Sequence, residues 1–255
     1  MMKKLIFASL AILVSLLSSA CRDMPPNLVN SPADVNGRMI GALSGTPSER
    51  LADELGTAHG FAKGEEMMTH LRAGTIDCAV MENSAATELV ADTPGVRILS
   101  EPLVEYELHF AEAKENAELL LAVNSALDVL RQNGVLNGLS GKYFAGRNYK
   151  YVPPEGVEAH PGTLSLAVPP DSPPFSFKDA EGEFSGLDIE VARAVCDILG
   201  VNLKIIEYDS WELVNAVWYG MADLAVGWIP SEGSENMVNV SDAYANAVHV
   251  VIVRR

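Results

Sequence analysis

Residues 173–200 read PPFSFKDAEGEFSGLDIEVARAVCDILG, and this stretch decides the fold. Its segment AEGEF predicts a hairpin turn, and the residues after it carry apolar side chains at helical spacing. The apolar run TLSLAV at 163–168 precedes the stretch and predicts a strand. A strand, a hairpin and an amphipathic helix in this order are typical of the start of an α/β domain, yet here they fall in the second half of the chain. The apolar helix positions are Ile189, Val191, Ala192, Val195 and Ile198.

The same alternation of strand and helix is found earlier in the chain. Residues 38–110 alternate short apolar strands with amphipathic helices, which predicts a largely parallel, doubly wound sheet. Two further helices follow within 117–146, and a stretch rich in Pro, Gly and Tyr at 147–162 separates them from the next strand. From residue 163 the alternation begins again. The predicted fold class is therefore α/β, with two doubly wound lobes in one chain.

The first twenty residues have the parts of an export signal. Lys3 and Lys4 precede an apolar run, and small residues precede Cys21. We expect residues 1–20 to be removed and Cys21 to carry lipid, as in a bacterial lipoprotein. Release into the periplasm after ordinary cleavage is the alternative, because Leu17 lies one place further from the cysteine than the usual motif prefers. No later stretch is apolar over the length that a membrane span needs.

Charge and cysteine content exclude several classes of partner. The formal net charge is −16 at pH 7, which argues against nucleic acid as a partner and against broad contact with anionic lipid. Cys78 and Cys196 lack metal-ligand spacing and lie in apolar runs, so they are predicted to be buried; a disulfide formed in an oxidising periplasm is the alternative. No metal and no cofactor is predicted.

Several ordered segments resemble the periplasmic solute-binding proteins of the amino-acid type (family 3), in which two α/β lobes close on a small ligand around a hinge. Residues 173–200 resemble the family's opening, and 222–255 resemble the end of its first lobe and the exit strand. Residues 36–56 resemble the entry into the second lobe, 74–103 its middle and 117–146 the carboxyl-terminal helices. The two halves stand in the reverse of the family's order. The resemblance therefore implies a type II periplasmic-binding fold, circularly permuted.

A permutation has consequences for the chain ends. We expect the terminal HVVIVRR to pair beside residues 101–114 and to form the inter-lobe crossing that is no longer covalent. We expect Arg255 to lie so close to Asn36 that a few residues could join them. Two incomplete halves, or a swapped dimer, are the alternative. The predicted divisions are a signal peptide (1–20), a lipid-anchored tether (21–36), a lobe resembling the second lobe (37–108), a hinge crossing with helices that pack on the other lobe (109–146), a linker joining the ancestral termini (147–162) and a lobe resembling the first lobe (163–255).

The loop after the first strand contains the first candidates for ligand binding. Ligands of two-lobed sheets of this kind bind at the carboxyl ends of strands. Ser44, Gly45, Thr46 and Ser48 lead into a helix, and free N–H groups and hydroxyls there would suit a carboxylate. A Ser/Thr helix cap is the alternative for the same residues.

Other candidates follow from the resemblance. It implies that Glu82 binds the ligand's ammonium group, although a carboxylate at this point can also cap a helix. Ser172 and Ser210 stand where the family often has an aromatic side chain that stacks on the ligand. Trp211 and Trp228 can supply apolar walls instead, or can belong to the core.

Asp171, Phe175 and Ser231 complete the ligand-binding candidates, although Phe175 can equally point into the core. Family members that bind free amino acids have an arginine just after the strand that corresponds to MADLAVGWI at 221–229. Here residues 205–253 contain no Arg or Lys. That departure puts an ordinary α-amino acid ligand in doubt and leaves a cationic, neutral or different solute open.

The predicted function is that of an extracytoplasmic solute-binding receptor, not an enzyme, which captures a small polar molecule and delivers it to the membrane subunits of an ABC importer or presents it to a membrane sensor. We expect a membrane-anchored lipoprotein at the periplasm or cell surface, or a soluble periplasmic protein, in monomeric form. The alternatives are a dehydratase- or lyase-like enzyme, for which Glu82, Asp171 and His249 are the candidate acid or base groups, and a sensing regulator without a transport role.

Overall fold

Two β-sheets, each covered by helices, organise the computed structural model, which describes residues 24–156, 162–227, 234 and 236–255. The described part contains seven α-helices and fourteen strands, besides a 3-10 helix at Pro32–Val35. Helices α1–α7 are Pro47–Leu55, Gly64–Ala73, Asn83–Ala91, Ala117–Gln132, Val135–Ala145, Leu187–Leu199 and Leu213–Trp218; strands β1–β14 are Met39–Leu43, Thr57–Phe61, Cys78–Glu82, Val96–Ile98, Val104–Leu108, Ala111–Ala113, Thr163–Val168, Asp171–Ser172, Ser176–Lys178, Phe184–Ser185, Asn202–Glu207, Leu224–Ala225, Val238–Val240 and Ala245–Arg254.

The first lobe is built on the sheet β2-β1-β3-β14-β4, with β5 also paired to β14. Strands β1, β2 and β3 are parallel, as the alternation of strands and helices predicts. Helix α1 packs on one face through Leu51, and helix α2 packs on the other through Met67 and Leu71. Both faces of the sheet are therefore buried.

The second lobe is built on the sheet β11-β7-β12-β6-β13. Strands β11 and β12 are parallel to β7, whereas β6 is antiparallel to β12 and β13. Helices α4, α5 and α6 share one core cluster on this sheet, and α7 packs on the opposite face through Leu213 and Val217. The predicted α/β fold with two lobes is confirmed. Strands β8, β9 and β10 form a small antiparallel sheet around the hairpin that the sequence predicts.

The carboxyl-terminal strand β14 crosses from the second lobe into the first. It pairs antiparallel with β5 over Ala245–His249, so only the first residue of the terminal HVVIVRR lies beside residues 101–114 as predicted. It then continues between β3 and β4, so residues 245–254 belong to the sheet of the first lobe rather than to a lobe spanning 163–255. The prediction that one inter-lobe connection stays covalent is wrong, because the chain crosses at 108–111 and again at 241–244. Alternate residues of β14 are buried on opposite faces of the sheet, which makes it a central strand.

The described part of the predicted tether, residues 24–36, is packed against the first lobe. Val29 and Val35 are fully buried in its core. The carbonyl oxygens of Pro25 and Pro26 accept hydrogen bonds from the buried guanidinium of Arg254, at 3.1 and 3.2 Å. This segment is therefore part of the lobe and not a free tether.

The described part of the predicted linker also lies against the protein. The ring of Tyr149 lies on the backbone of Gly138, where an added Cβ would be 2.3 Å from the ring. Arg147 covers Gly141 in the same way. Small residues on α5 thus give the linker a surface on which to pack.

The two cysteines of the described residues, Cys78 and Cys196, are free and buried, and burial raises the pKa of each thiol to about 12. Among the described residues no helix has the length and apolar character needed to cross a bilayer. The predicted signal peptide and the lipidation site Cys21 lie outside the described residues.

Candidate functional site

A cavity of about 220 Å³ lies between the two lobes. It opens at the carboxyl ends of β1 in the first lobe and of β7, β11 and β12 in the second, where a ligand is expected in sheets of this kind. Its lining is formed by Gly45, Thr46, Pro47, Glu49, Arg50 and Asp53 from the first lobe and by Pro169, Ser172, Ser210, Trp211 and Gly227 from the second.

The predicted donors of the β1–α1 loop are already engaged. The N–H of Gly45 and the hydroxyl of Ser44 donate to the carboxylate of Glu49, at 2.8 and 3.3 Å. The hydroxyl of Thr46 donates to the carbonyl of Leu43 at 2.7 Å. Three of the predicted donors are therefore occupied within the loop, and a carboxylate from the helix's own first turn lies where an external anion was expected.

Ser44 and Ser48 do not line the cavity, whereas Gly45 and Thr46 do. Ser48 is buried within the first turn of α1. Of the four loop candidates, the structure therefore brings two to the cleft.

Glu82 caps helix α3 and does not line the cavity. Its carboxylate accepts the N–H of Ser84 at 2.8 Å and that of Ala85 at 3.3 Å, and it also accepts the Ser84 hydroxyl. Burial raises the pKa of Glu82, while these hydrogen bonds act in the opposite direction. The structure thus corresponds to the helix-cap alternative for this residue.

The candidates of the second lobe divide into two groups. Ser172, Ser210 and Trp211 line the cavity. The hydroxyl of Ser210 donates to the carbonyl of Gly45 at 3.4 Å, so the lobes touch at the edge of the cavity. Ser172 is 3% exposed, and its hydroxyl makes no hydrogen bond within the described part of the chain. Trp211 is 69% exposed and lines the cavity with an accessible ring.

The other candidates of this lobe lie elsewhere. Phe175 is buried in the main core of the second lobe and packs edge-on against Phe144, so its assignment as a ligand contact is corrected to a core role. Asp171 is exposed and does not line the cavity. Trp228 and Ser231 lie outside the described residues.

Sequence reasoning missed the three charged cavity residues Glu49, Arg50 and Asp53. Arg50 and Asp53 follow Pro47 at intervals of three on α1, so they lie on the face of the helix that begins at the cleft. Burial lowers the pKa of Arg50, and the nearby charge of Glu54 acts against this. Helical spacing from Pro47 was the signal that could have identified them.

A buried polar cluster lies at the hinge, close to Glu82. His249 is fully buried, is paired with Glu82 across β14 and β3, and has no hydrogen bond at either ring nitrogen within the described residues. Its ring stacks on Tyr106 of β5, with centroids 5.1 Å apart. Burial lowers the pKa of His249 to about 4, so its neutral form is the stable one in the folded protein.

A larger crevice, of about 550 Å³, lies between the first turn of α3, the end of α5 and Pro173–Pro174. It contains none of the predicted ligand-binding residues, and its lysine, Lys142, is in an ion pair with Glu190. The cavity at the carboxyl ends of the strands is therefore the candidate site.

Residues 164–255 match the profile of the family described as bacterial extracellular solute-binding proteins, family 3. The chain is similar to the lysine/arginine/ornithine-binding periplasmic protein of Escherichia coli K12, at 28% identity over 123 residues, 43% of this chain and 47% of that protein. It is similar to the histidine-binding periplasmic protein of Salmonella typhimurium LT2, at 30% identity over 129 residues, 44% of this chain and 48% of that protein. The chain thus spans about half the length of the curated relatives it matches.

Among solved structures, a phosphate-binding protein of a phosphate ABC transporter from Streptococcus pneumoniae TIGR4 has a TM-score of 0.47 and 12% identity, covering 85% of this chain and 88% of that chain. The matched family and both relatives are binding proteins by name.

Proposed function

We propose that this chain, whose residues 164–255 match the profile of the bacterial extracellular solute-binding proteins of family 3, is a receptor that captures a small polar solute between its two lobes. The observation that carries this proposal is the cavity shared by the lobes. Gly45 and Thr46 approach it from the first lobe, and Ser172 and Ser210 approach it from the second. A solute that contacts both walls favours the closed arrangement of the lobes and so shifts the population towards it.

The hinge gives this closure a defined axis. The two crossings run side by side, with the N–H of Tyr244 donating to Leu108 at 2.9 Å and the N–H of Ser241 donating to Phe110 at 2.8 Å. Two paired strands can bend together while the sheets on either side stay rigid.

The solute is an amino acid or a related small polar molecule. The relatives named above bind lysine, arginine, ornithine and histidine according to their names, which supports starting with this class. Arg50 enters the cleft from the first lobe, whereas the family's arginine is expected from the second. The segment in which that arginine is expected, 228–233 with 235, lies outside the described residues.

The protein acts outside the cytoplasm, attached to a membrane through Cys21 or free in the periplasm, as a monomer that hands its solute to an ABC importer or presents it to a membrane sensor. The predicted export signal at the amino terminus and the family match of residues 164–255 support this location.

The lobes have the family's architecture in permuted order. The end of β14 and the start of β1 lie at the same end of the first sheet, and β3 separates them. Ile252, near the end of β14, pairs with Ala79, and Ile40, near the start of β1, pairs with the adjacent Cys78. Two inter-strand spacings put these ends roughly 10 Å apart. A peptide connection from the end of β14 to the start of β1 would restore the family's order of segments along the chain.

Binding is tested by thermal unfolding of the purified protein with amino acids, amines, organic acids, sugars and peptides, followed by calorimetry on any hit. A solute at a hundred times its dissociation constant stabilises the protein by about 2.7 kcal/mol, or roughly 5–10 °C. Ser172→Ala, which removes a hydroxyl that lines the cavity, is expected to weaken binding by about tenfold or less. Absence of a hit across this panel from a folded protein would contradict the proposed function.

A further inference from the structure

One end of the cavity contains a carboxylate that belongs to the protein. Glu49 accepts the Gly45 N–H at 2.8 Å and the Ser44 hydroxyl at 3.3 Å. Strand β2 makes room for it at Gly60, where an added Cβ would be 2.1 Å from the Glu49 carboxylate and 2.4 Å from the Ser44 oxygen. Three segments of the first lobe thus hold this carboxylate at the cleft, and the Gly45 N–H and the Ser44 hydroxyl are occupied by it.

The charges at this end of the cavity favour a cation. Glu49 and Asp53 line it with Arg50, and the charge of Arg50 is offset by Glu54, one turn further along the helix. The lining residues described on the second lobe carry no charge, and among them the ring of Trp211 can take a cation on its face. The remaining charge is therefore negative.

The cavity also has a polar group in a buried position. Ser172 is 97% buried, lines the cavity and makes no hydrogen bond within the described residues. A hydroxyl in this position can donate to or accept from a polar part of a solute. Its wall faces the acidic side of the cavity across the cleft, so a solute that bridges the walls meets a neutral polar group on one side and carboxylates on the other.

We infer that the cleft selects a solute with a cationic group, which lies beside Glu49 and Asp53 against the face of Trp211, while Ser172 binds its neutral polar part. This inference rests on the proposed function and names the class of its solute. An anionic group at the start of α1 is disfavoured, because it would meet the carboxylate of Glu49, to which the Gly45 N–H and the Ser44 hydroxyl already donate.

The test compares cations and anions of similar length by calorimetry on the full protein at low salt, with L-arginine against L-glutamate and putrescine against succinate. We expect the cation of at least one pair to bind ten or more times more tightly than its anion. Glu49→Gln keeps the shape of the side chain and removes the charge, and should reduce that preference about tenfold. Glu65→Gln, on an exposed turn of α2 away from the cavity, makes the same change in net charge and should leave the preference unaltered.

The outcomes separate this inference from the proposed function. Tighter binding of an anion, binding only of a neutral solute in the wider panel, or an unaltered preference in Glu49→Gln would overturn the inference and leave a solute receptor. Absence of binding by all four probes and by the wider panel would overturn both. Melting temperatures of the two variants, measured beside the parent, show whether a lost preference reflects a lost fold.

Discussion

The phenol of Tyr244 donates a 2.7 Å hydrogen bond to Oδ1 of Asp188, and both side chains are buried. Tyr244 lies at the second crossing between the lobes, and Asp188 lies in the first turn of α6. Burial raises the pKa of Asp188 to about 7, and the hydrogen bond from Tyr244 acts in the opposite direction. The hinge is thus attached to a helix of the second lobe through a carboxyl group whose charge depends on pH.

Removing this hydrogen bond should destabilise the protein. Tyr244→Phe keeps the ring and leaves Asp188 without a hydrogen-bond donor among the described residues, so we expect a loss of about 1–3 kcal/mol in the free energy of unfolding. The loss should be larger at pH 8 than at pH 5, because the hydrogen bond stabilises the ionised carboxylate most. Urea unfolding at both pH values measures it. Tyr219→Phe, at an exposed ring, should change stability by less than about 0.5 kcal/mol.

The buried His249 and Asp188 should have opposite effects on stability between about pH 4 and 6.5. The pKa of His249 is lowered from 6.5 to about 4, so the stability of its neutral folded form is fully present above 6.5 and is lost as pH falls through 4. The pKa of Asp188 is raised from 3.8 to about 7, so its contribution is fully present below 3.8 and is lost as pH rises through 7. The two pH dependences therefore partly cancel in the measured free energy of unfolding.

His249→Phe should reveal the pH dependence of stability that Asp188 causes. The variant lacks the titrating ring, so between pH 4 and 6.5 its stability should fall more steeply with rising pH than that of the parent, by up to about 1.4 kcal/mol per pH unit. Urea unfolding of both proteins over this range gives the difference. Glu112, whose pKa burial also raises to about 7, is present in both proteins and cancels. Parallel curves would contradict the assignment of a neutral, buried His249.

The guanidinium of Arg254 should hold the amino-terminal segment to the first lobe. It is buried and donates to the carbonyls of Leu71 and Ile76, at 2.7 and 2.8 Å, besides those of Pro25 and Pro26. Arg254→Met leaves these acceptors without their donor, so we expect a loss of roughly 3 kcal/mol in unfolding free energy and faster proteolysis within residues 24–36. Arg255→Met, at an exposed residue with one such bond, is the control and should cost less than about 1 kcal/mol.

The periodic parts of this fold could be predicted from the sequence, and the destination of β14 could not. Strand β1 and helix α1 lie on either side of the loop at Ser44–Thr46, as predicted, because apolar spacing and Pro47 are local signals. The run HVVIV predicts a buried strand, but which sheet receives it depends on partners far along the chain, and that information is not local.

The charged side of the cavity could have been predicted from the sequence. The residues Thr46-Pro47-Ser48-Glu49 fit the capping-box pattern, in which a carboxylate three residues after the cap reaches back to the start of the helix. In the structure Glu49 reaches Gly45, one residue before the cap. The orientation of Phe175 depends on packing instead. Either face of its hairpin could carry the buried apolar side chains, and only the core around Phe144 shows that Phe175 points inward.

A chain returned to the family's order should fold to the same structure. The side chain of Arg254 contacts the backbone of Pro25 and Pro26, so a flexible linker of about four residues, which spans up to roughly 13 Å, can join residue 255 to residue 24. The rearranged chain would begin at residue 162 and end at residue 156. Its unfolding free energy should lie within about 1 kcal/mol of the parent's, and it should bind the same solute.

A control chain and a measurement of oligomeric state complete the test of the rearranged chain. A chain with the same join but opened inside α4, between Asn124 and Ser125, should fail to fold, because that helix contributes Val123, Ala126 and Leu127 to the core of the second lobe. Light scattering reports whether the rearranged chain is monomeric. An unfolded product, or a dimer that binds only as a dimer, would favour the alternative that each lobe is completed by another chain, and would remove the permutation as the explanation for a family opening at residue 163.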